Sequence, residues 1–159
     1  MQVVLFEPEI PPNTGNIARL CAAFSVELHL VEPLGFRLEN RYLKRAGLDY
    51  WPHVRMKVWP DFDAFLRRKD APENQRLVMA TTKAATLLPE FVFHPSDALV
   101  FGPETRGLPV DILQLSSQHV RIPMLNMEAG GVRSLNLSTA CGIILYAAMA
   151  GCGMFRQVL

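Results

Sequence analysis

Asn13, Asn16 and Arg19 fall within a turn or so of a helix start, and Arg19 stands three residues beyond Asn16. Residues three apart on a helix share one face. A carboxamide and a guanidinium side by side near a helix N-terminus suit an anionic group. The same residues would serve equally as a solvated polar face. A second segment, GPETRGLP (102–109), sets Glu104 and Arg106 between Gly102 and Gly107. Glycines let a backbone turn tightly and approach a ligand closely, although a plain strand-to-helix turn with both charges in water reads the same way. In the third, RIPM and then VRSLNLS put Ser134, Asn136 and Ser138 ahead of a long apolar stretch, as site residues or as helix caps.

The elements that must carry these turns follow from hydrophobic patterning. Gln2–Phe6, Glu27–Val31, Val54–Trp59, Leu77–Thr81, Ala98–Phe101 and His119–Ile122 read as strands. Behind the turn at Pro8, Pro11 and Pro12, Asn13 or Thr14 can cap a helix whose Ile17, Leu20, Cys21 and Phe24 recur at i, i+3, i+4 and i+7. ENRYLKRAGLDY (39–50) reads as a charged helical piece, Asp61–Arg68 as a short amphipathic helix, and Val110–Leu115 as a short helix opened by Pro109. A long helix is expected from Asn136 to about Ala150. It is apolar nearly all round, with Leu137, Cys141, Ile144 and Ala148 on one stripe and Ile143, Tyr146, Ala147 and Ala150 on another. Strands alternating with helices predict an α/β fold, a mostly parallel sheet with helices on both faces, over a single domain at 1–159. Ligands of such sheets sit beyond the carboxyl ends of the strands, where the turns at 7–16, 102–109 and 123–136 belong.

Composition narrows the chemistry. Half of the 159 residues are hydrophobic and 19% are charged, as in a globular chain. A formal net charge of +1 gives no global basic signature, so any nucleic-acid contact must use a local patch. The clusters are Arg41, Lys44 and Arg45, then Arg67, Arg68 and Lys69. Cys21, Cys141 and Cys152 are far apart with no CxxC pair, and the four histidines are scattered, so no disulfide framework or metal site is expected. The opening MQVVLFEPE lacks the basic n-region and cleavage site of a secretory leader. Leu135–Ala150 falls short of the ~20 residues that span a bilayer. A cytoplasmic, non-membrane protein is expected. Neither GxGxxG nor GxxxxGK[ST] occurs, so dinucleotide and P-loop chemistry lose their main support. A cofactor without phosphates, such as S-adenosylmethionine, needs no such loop.

PPNTGNIARLCAA, LVFGPETRGLP and RIPM…SLNLSTACGIILY together resemble the three motifs of the SPOUT class of RNA methyltransferases, in order and over almost the whole chain. The opening segment and KRAGLDYW are similar to those of the minimal tRNA wobble-nucleotide (position 34) 2′-O-methyltransferases. The resemblance implies a C-terminal trefoil knot, S-adenosyl-L-methionine as cofactor with no metal, tRNA rather than DNA as partner, and a homodimer with Tyr146 on its helix. It implies a cofactor set of Ala80, Gly102, Glu104, Gly107, Ile122, Ser134 and Asn136, with Ala80 lining the adenine pocket and Gly102 and Ile122 offering backbone contacts. Asn16 and Arg19 would be the catalytic pair, and Arg41, Lys44 and Arg45 would meet RNA. Ribosomal RNA as substrate and a non-catalytic knotted RNA-binding module are the alternatives. LNMEAGGV (125–132) is longer than the resemblance leads one to expect, and it bears on the placement of Ser134.

Overall fold

Runs of four residues buried without a break mark strands covered on both faces, and Val3–Phe6, Leu28–Val31 and Ala98–Phe101 have this pattern. The computed structural model describes residues 1–38, 51–125 and 132–156. In it these runs lie inside a six-stranded, wholly parallel sheet. Its strands are β1 (Gln2–Phe6), β2 (Glu27–Val31), β3 (Met56–Trp59), β4 (Leu77–Ala80), β5 (Ala98–Phe101) and β6 (His119–Val120), in the order β3-β2-β1-β5-β4-β6. The chain builds outward from β1 to β3 and then crosses to the other side. The order therefore reverses between β1 and β5, and the carboxyl ends of the strands at such a switch point are where sheets of this kind bind ligands.

Three strands have the expected bounds; β3 starts two residues late and β4 ends one early. The larger difference is β6, which keeps only two of four expected residues. On one edge it follows β4, with Thr81 N–H donating to the Val120 carbonyl at 3.0 Å. Beyond Val120, Arg121 N–H instead donates to the Thr86 carbonyl (3.1 Å), and Leu88 N–H to the Arg121 carbonyl (2.8 Å). Residues 119–121 thus run between β4 and the segment that leaves β4.

Among the described residues the α-helices are α1 (Pro11–Ala23), α2 (Phe62–Leu66), α3 (Val110–Leu113) and α4 (Leu137–Gly151). Strand residues alternate between two cores. Val3, Leu5, Leu28, Leu30, Leu99 and Phe101 pack with Ile17 and Cys21 of α1 and Cys141, Ile144 and Leu145 of α4. Val4, Phe6, Met79 and Val100 face Phe62 and Phe65 of α2 and Ile112 of α3. Helices cover both faces, as expected. The inward stripe of α4 is buried at Cys141, Ile144 and Ala148, while Ile143 and Tyr146 on the other stripe are 39% and 58% exposed. Burial holds the Cys21 thiol pKa up at about 12 and that of Cys141 well above the usual thiol range, so both are inert packing groups.

Two local expectations need correction. α1 begins at Pro11, ahead of Asn13 and Thr14, which are buried within its first turn, and its N-cap Ile10 supplies no side-chain bond. Arg67 to Lys69 do not form one basic surface. The Arg68 side chain is buried with its guanidinium 3.8 Å over the Phe65 ring, and exposed Arg67 lies 3.9 Å from Asp63. The expected helix at 39–50, with Arg41, Lys44 and Arg45, lies outside the described residues.

His29 on β2 is fully buried against Phe65 and Trp59. Trp59 Nε1–H donates to its Nδ1 at 3.0 Å, so the neutral ring carries its proton on Nε2, 3.5 Å from Glu27 Oε2. Desolvation lowers its pKa to about 4, opposed by Glu27 and reinforced by Arg68 and Lys57. Below the ordinary value of ~6.5 the unfolded chain takes up a proton that the folded chain refuses. Stability present above pH ~6.5 is therefore lost as pH falls towards 4, by up to about 3 kcal/mol. Urea denaturation between pH 7 and pH 4.5 should show this slope, and His29→Gln, which keeps an acceptor for Trp59, should flatten it.

Candidate active site

The first turn of a helix normally offers unpaired amides to an anion. α1 does not, because Pro11 and Pro12 occupy its first two positions and have no N–H. The next two amides, of Asn13 and Thr14, both turn back to the Ile10 carbonyl, at 3.1 and 3.3 Å. The anion at this helix end is the protein's own. Glu104, from the loop after β5, accepts from Glu9 N–H (2.8 Å), Ile10 N–H (3.2 Å) and Asn13 Nδ2 (3.0 Å). Its neighbours reach the same segment: Thr105 donates its amide and hydroxyl to the Glu9 carboxylate, at 3.0 and 2.9 Å, and Arg106 pairs with Glu7. Three successive residues of one crevice loop thus grip the other.

Asn13 extends this contact. Glu104 can only accept, so Asn13 must turn its NH2 towards it and present its carbonyl to the far side. There Asn136 Nδ2 donates to Asn13 Oδ1 at 2.9 Å. Asn136 Oδ1 in turn accepts from Ser138 N–H (2.9 Å) and Thr139 N–H (3.3 Å), capping α4. A directed relay, Glu104–Asn13–Asn136, ties the β5 loop to the starts of both helices on one face of the sheet. Local sequence suggests a cap or an anion contact for Asn13 and carries no signal of its role as the middle member.

The other expected site residues fall on the strand ends, on α1 and ahead of α4. Ala80 pairs with Phe101 and Val120 across three adjacent strands, so Ala80, Gly102 and Ile122 lie together at the carboxyl ends of β4, β5 and β6. Gly102 is buried for a reason other than ligand approach. A Cβ there would lie 2.3 Å from Leu108 N and 2.4 Å from the Gly107 carbonyl carbon, so the loop's own backbone fills the space. Gly107 is exposed at φ +70 in open space that a Cβ would not crowd, and its amide closes a turn on the Pro103 carbonyl at 3.0 Å. Asn16 and Arg19 are exposed on the polar side of α1, opposite buried Ile17 and Cys21. Ser134 is exposed two residues ahead of Asn136, and most of the long loop before it (126–131) lies outside the described residues. An open cavity of about 570 Å³ sits at the amino-terminal edge of the sheet, lined by Arg68, Gln75, Ser116 and Gln118 among others. None of the expected site residues reaches it, so the carboxyl-end crevice is the better candidate.

A family model described as the SpoU rRNA Methylase family matches residues 1–146. The chain belongs to the SpoU methylase family. Among curated members, the tRNA (cytidine(34)-2′-O)-methyltransferase of Saccharophagus degradans is 48% identical over 148 residues, 92% of each chain. Its namesake in Escherichia coli K12 is 44% identical across all of this chain and 98% of its own. A solved structure described as giving insight into 2-OH methylation of C/U34 on tRNA superposes with a TM-score of 0.87, at 44% identity and 96% coverage of both chains. The SpoU methyltransferase AviRb of Streptomyces viridochromogenes, solved with AdoMet, shares the fold (TM-score 0.80, 24% identity, 94% of this chain and 57% of that one).

In this SpoU methylase the relay and the two glycines predict separable costs. Glu104→Ala leaves three donors without their acceptor and should cost about 2–3 kcal/mol in urea denaturation. Glu104→Gln should recover at most half of this, because its NH2 must face a donor. Gly102→Ala should be the most damaging glycine change, costing at least ~3 kcal/mol because backbone must move. Gly107→Ala, strained but uncrowded, should cost only about 1 kcal/mol.

Proposed function

We propose that this protein transfers a methyl group from S-adenosylmethionine to the ribose 2′-hydroxyl of nucleotide 34 in tRNA. The structural observation that supports the reading is the relay, which ties the helix bearing Asn16 and Arg19 to the loop that follows Gly102 at the end of β5 and to the start of α4. Near-full-length similarity to tRNA (cytidine(34)-2′-O)-methyltransferases supports the substrate and the position. The crevice suits the cofactor on physical grounds. A phosphate-bearing nucleotide would meet Glu104 and two prolines at α1, whereas a sulfonium cofactor carries no phosphate to be refused.

S-adenosylmethionine, when bound, supplies an electrophilic methyl to an in-line displacement. The methyl–sulfur bond would break as the methyl–oxygen bond forms, with S-adenosylhomocysteine as the leaving group and the hydroxyl proton passing to solvent. Holding the hydroxyl in near-attack geometry is the main task of the protein. Arg19 clamps an RNA phosphate and stabilises the charge that develops on the attacking oxygen. A guanidinium keeps its proton at neutral pH and so makes a poor base. Asn16, on the same face, orients the nucleotide. Ala80 would border the adenine, Gly102 and Ile122 would offer backbone groups, and Gly107, Ser134 and Asn136 would complete the pocket, while Glu104 holds the loop. Arg41, Lys44 and Arg45 extend the RNA contact.

The active unit is a two-fold dimer, supported by the apolar outward stripe of α4 around Ile143 and Tyr146. A trefoil knot is supported by the path of residues 119–121 between β4 and segment 86–88. Work on tRNA fits a cytoplasmic location. The family description favours a second reading, ribosomal RNA as substrate.

Single-turnover methylation with saturating cofactor separates these readings. Mass mapping should find the methyl at position 34 of tRNA, and transfer to ribosomal RNA alone would favour the second reading. Arg19→Ala should keep cofactor affinity and fold but lose at least ~100-fold in rate, and Arg19→Lys should rescue little. Unchanged transfer by Arg19→Ala would remove its role. Tyr146→Glu should convert the dimer to monomer in sedimentation at micromolar concentration.

A further inference from the structure

Glu9 stands where three segments meet. Its amide donates to Glu104, and its carboxylate receives both the amide and the hydroxyl of Thr105. On its other side Gly35 N–H donates to the Pro8 carbonyl at 2.9 Å. Gly35 packs so closely that a Cβ would lie 2.7 Å from Glu9 Cα and 2.8 Å from its carbonyl oxygen. Gly35 leads into the sequence that carries Arg41, Lys44 and Arg45, and α1, with Asn16 and Arg19, starts two residues after Glu9. Thr105 belongs to the loop that begins at Gly102.

We propose that Glu9 and Thr105 are positioning residues for methyl transfer, a clasp that sets loop 102–107 against the platform of α1 and Gly35; this rests on the methyltransferase reading above. Glu104 fixes where the two loops touch, and Arg106 adds a more exposed ion pair to Glu7. Between them the Glu9–Thr105 pair, with two hydrogen bonds to one carboxylate, holds the angle of the β5 loop about the Glu104 contact. Both contacts of Glu9 join residues 95 or 96 apart in sequence, so no local structure can replace them. Thr105 is exposed and Glu9 half-buried, where hydrogen bonds add little to global stability. Reaction rate is far more sensitive than stability to displacements of an ångström. The clasp therefore acts on the rate of transfer more than on the affinity for either ligand.

The test uses the full chain carrying Thr105→Val, Thr105→Ser, Glu9→Ala, Glu9→Gln, or Glu9→Ala with Thr105→Val. Single-turnover transfer to tRNA is measured beside S-adenosylhomocysteine affinity, tRNA affinity and urea midpoint. Thr105→Val and Glu9→Ala should slow transfer ~10-fold or more while both affinities stay within about threefold. Thr105→Ser and Glu9→Gln should recover most of the rate, because a hydroxyl can accept from a carboxamide NH2 as readily as it donates to a carboxylate. The double variant should be no slower than its slower parent. Parent-like rates in both single variants, additive losses in the double, or a fall in S-adenosylhomocysteine affinity equal to the fall in rate would each overturn the clasp. A parent protein that binds both ligands and transfers no methyl would overturn the methyltransferase reading, and the clasp with it.

Discussion

The carboxylate of Glu104 is the contact on which the crevice depends. A helix that starts with two prolines has lost the donors with which helices usually hold anions, yet its preceding amides still point outward and need an acceptor. Glu104 accepts from two of them and from Asn13 in a single stroke. Each bond is charge-assisted, hence stronger than a neutral one. The position of α1, and so of Asn16 and Arg19, is thereby referred to the end of β5 as well as to the strand that α1 follows.

That reference frame is shared by one face of the sheet. α1 and α4 pack on the same core, with Leu20 beside Gly142 and with Cys21 and Cys141 both fully buried. Asn136 carries the frame to α4 by capping it while donating to Asn13. The helices of the other face, α2 and α3, have no part in the relay and rest on a separate core built around Phe62, Phe65 and Met79. One face of the sheet holds the candidate chemistry, and the other supplies mass and buried area.

Much of the fold was legible because its determinants are local. β5 and all but the first residue of β1 are continuous apolar runs, as strands buried on both faces should be, β2 is broken only by Glu27 and His29, and the stripe of Ile17 and Cys21 puts Asn16 and Arg19 on the solvent side of α1. What was not legible depends on partners distant in sequence. β6 ends early because Arg121 bonds to Thr86 and Leu88. No local cap marks the start of α1, since the acceptor of the Ile10 amide lies 94 residues further along the chain. Gly102 stands out in the sequence as a glycine with a purpose, but that purpose, room for Leu108, is set by how the loop folds back on itself. Asn13 is the clearest case: nothing in its own neighbourhood distinguishes a capping asparagine from one that bridges two others.

The relay also has a polarity, and polarity limits how such a sequence can diverge. Each member is assigned a donor end and an acceptor end by its neighbours, starting from a group that can only accept and finishing on amides that can only donate. An aspartate at position 13, nearly the same size as asparagine, would set a second carboxylate against Glu104 where a donor now stands. At this point in the molecule, shape is a poor guide to what is interchangeable. Lineages of this chain should keep all three residues together or replace them together, as one inherited unit.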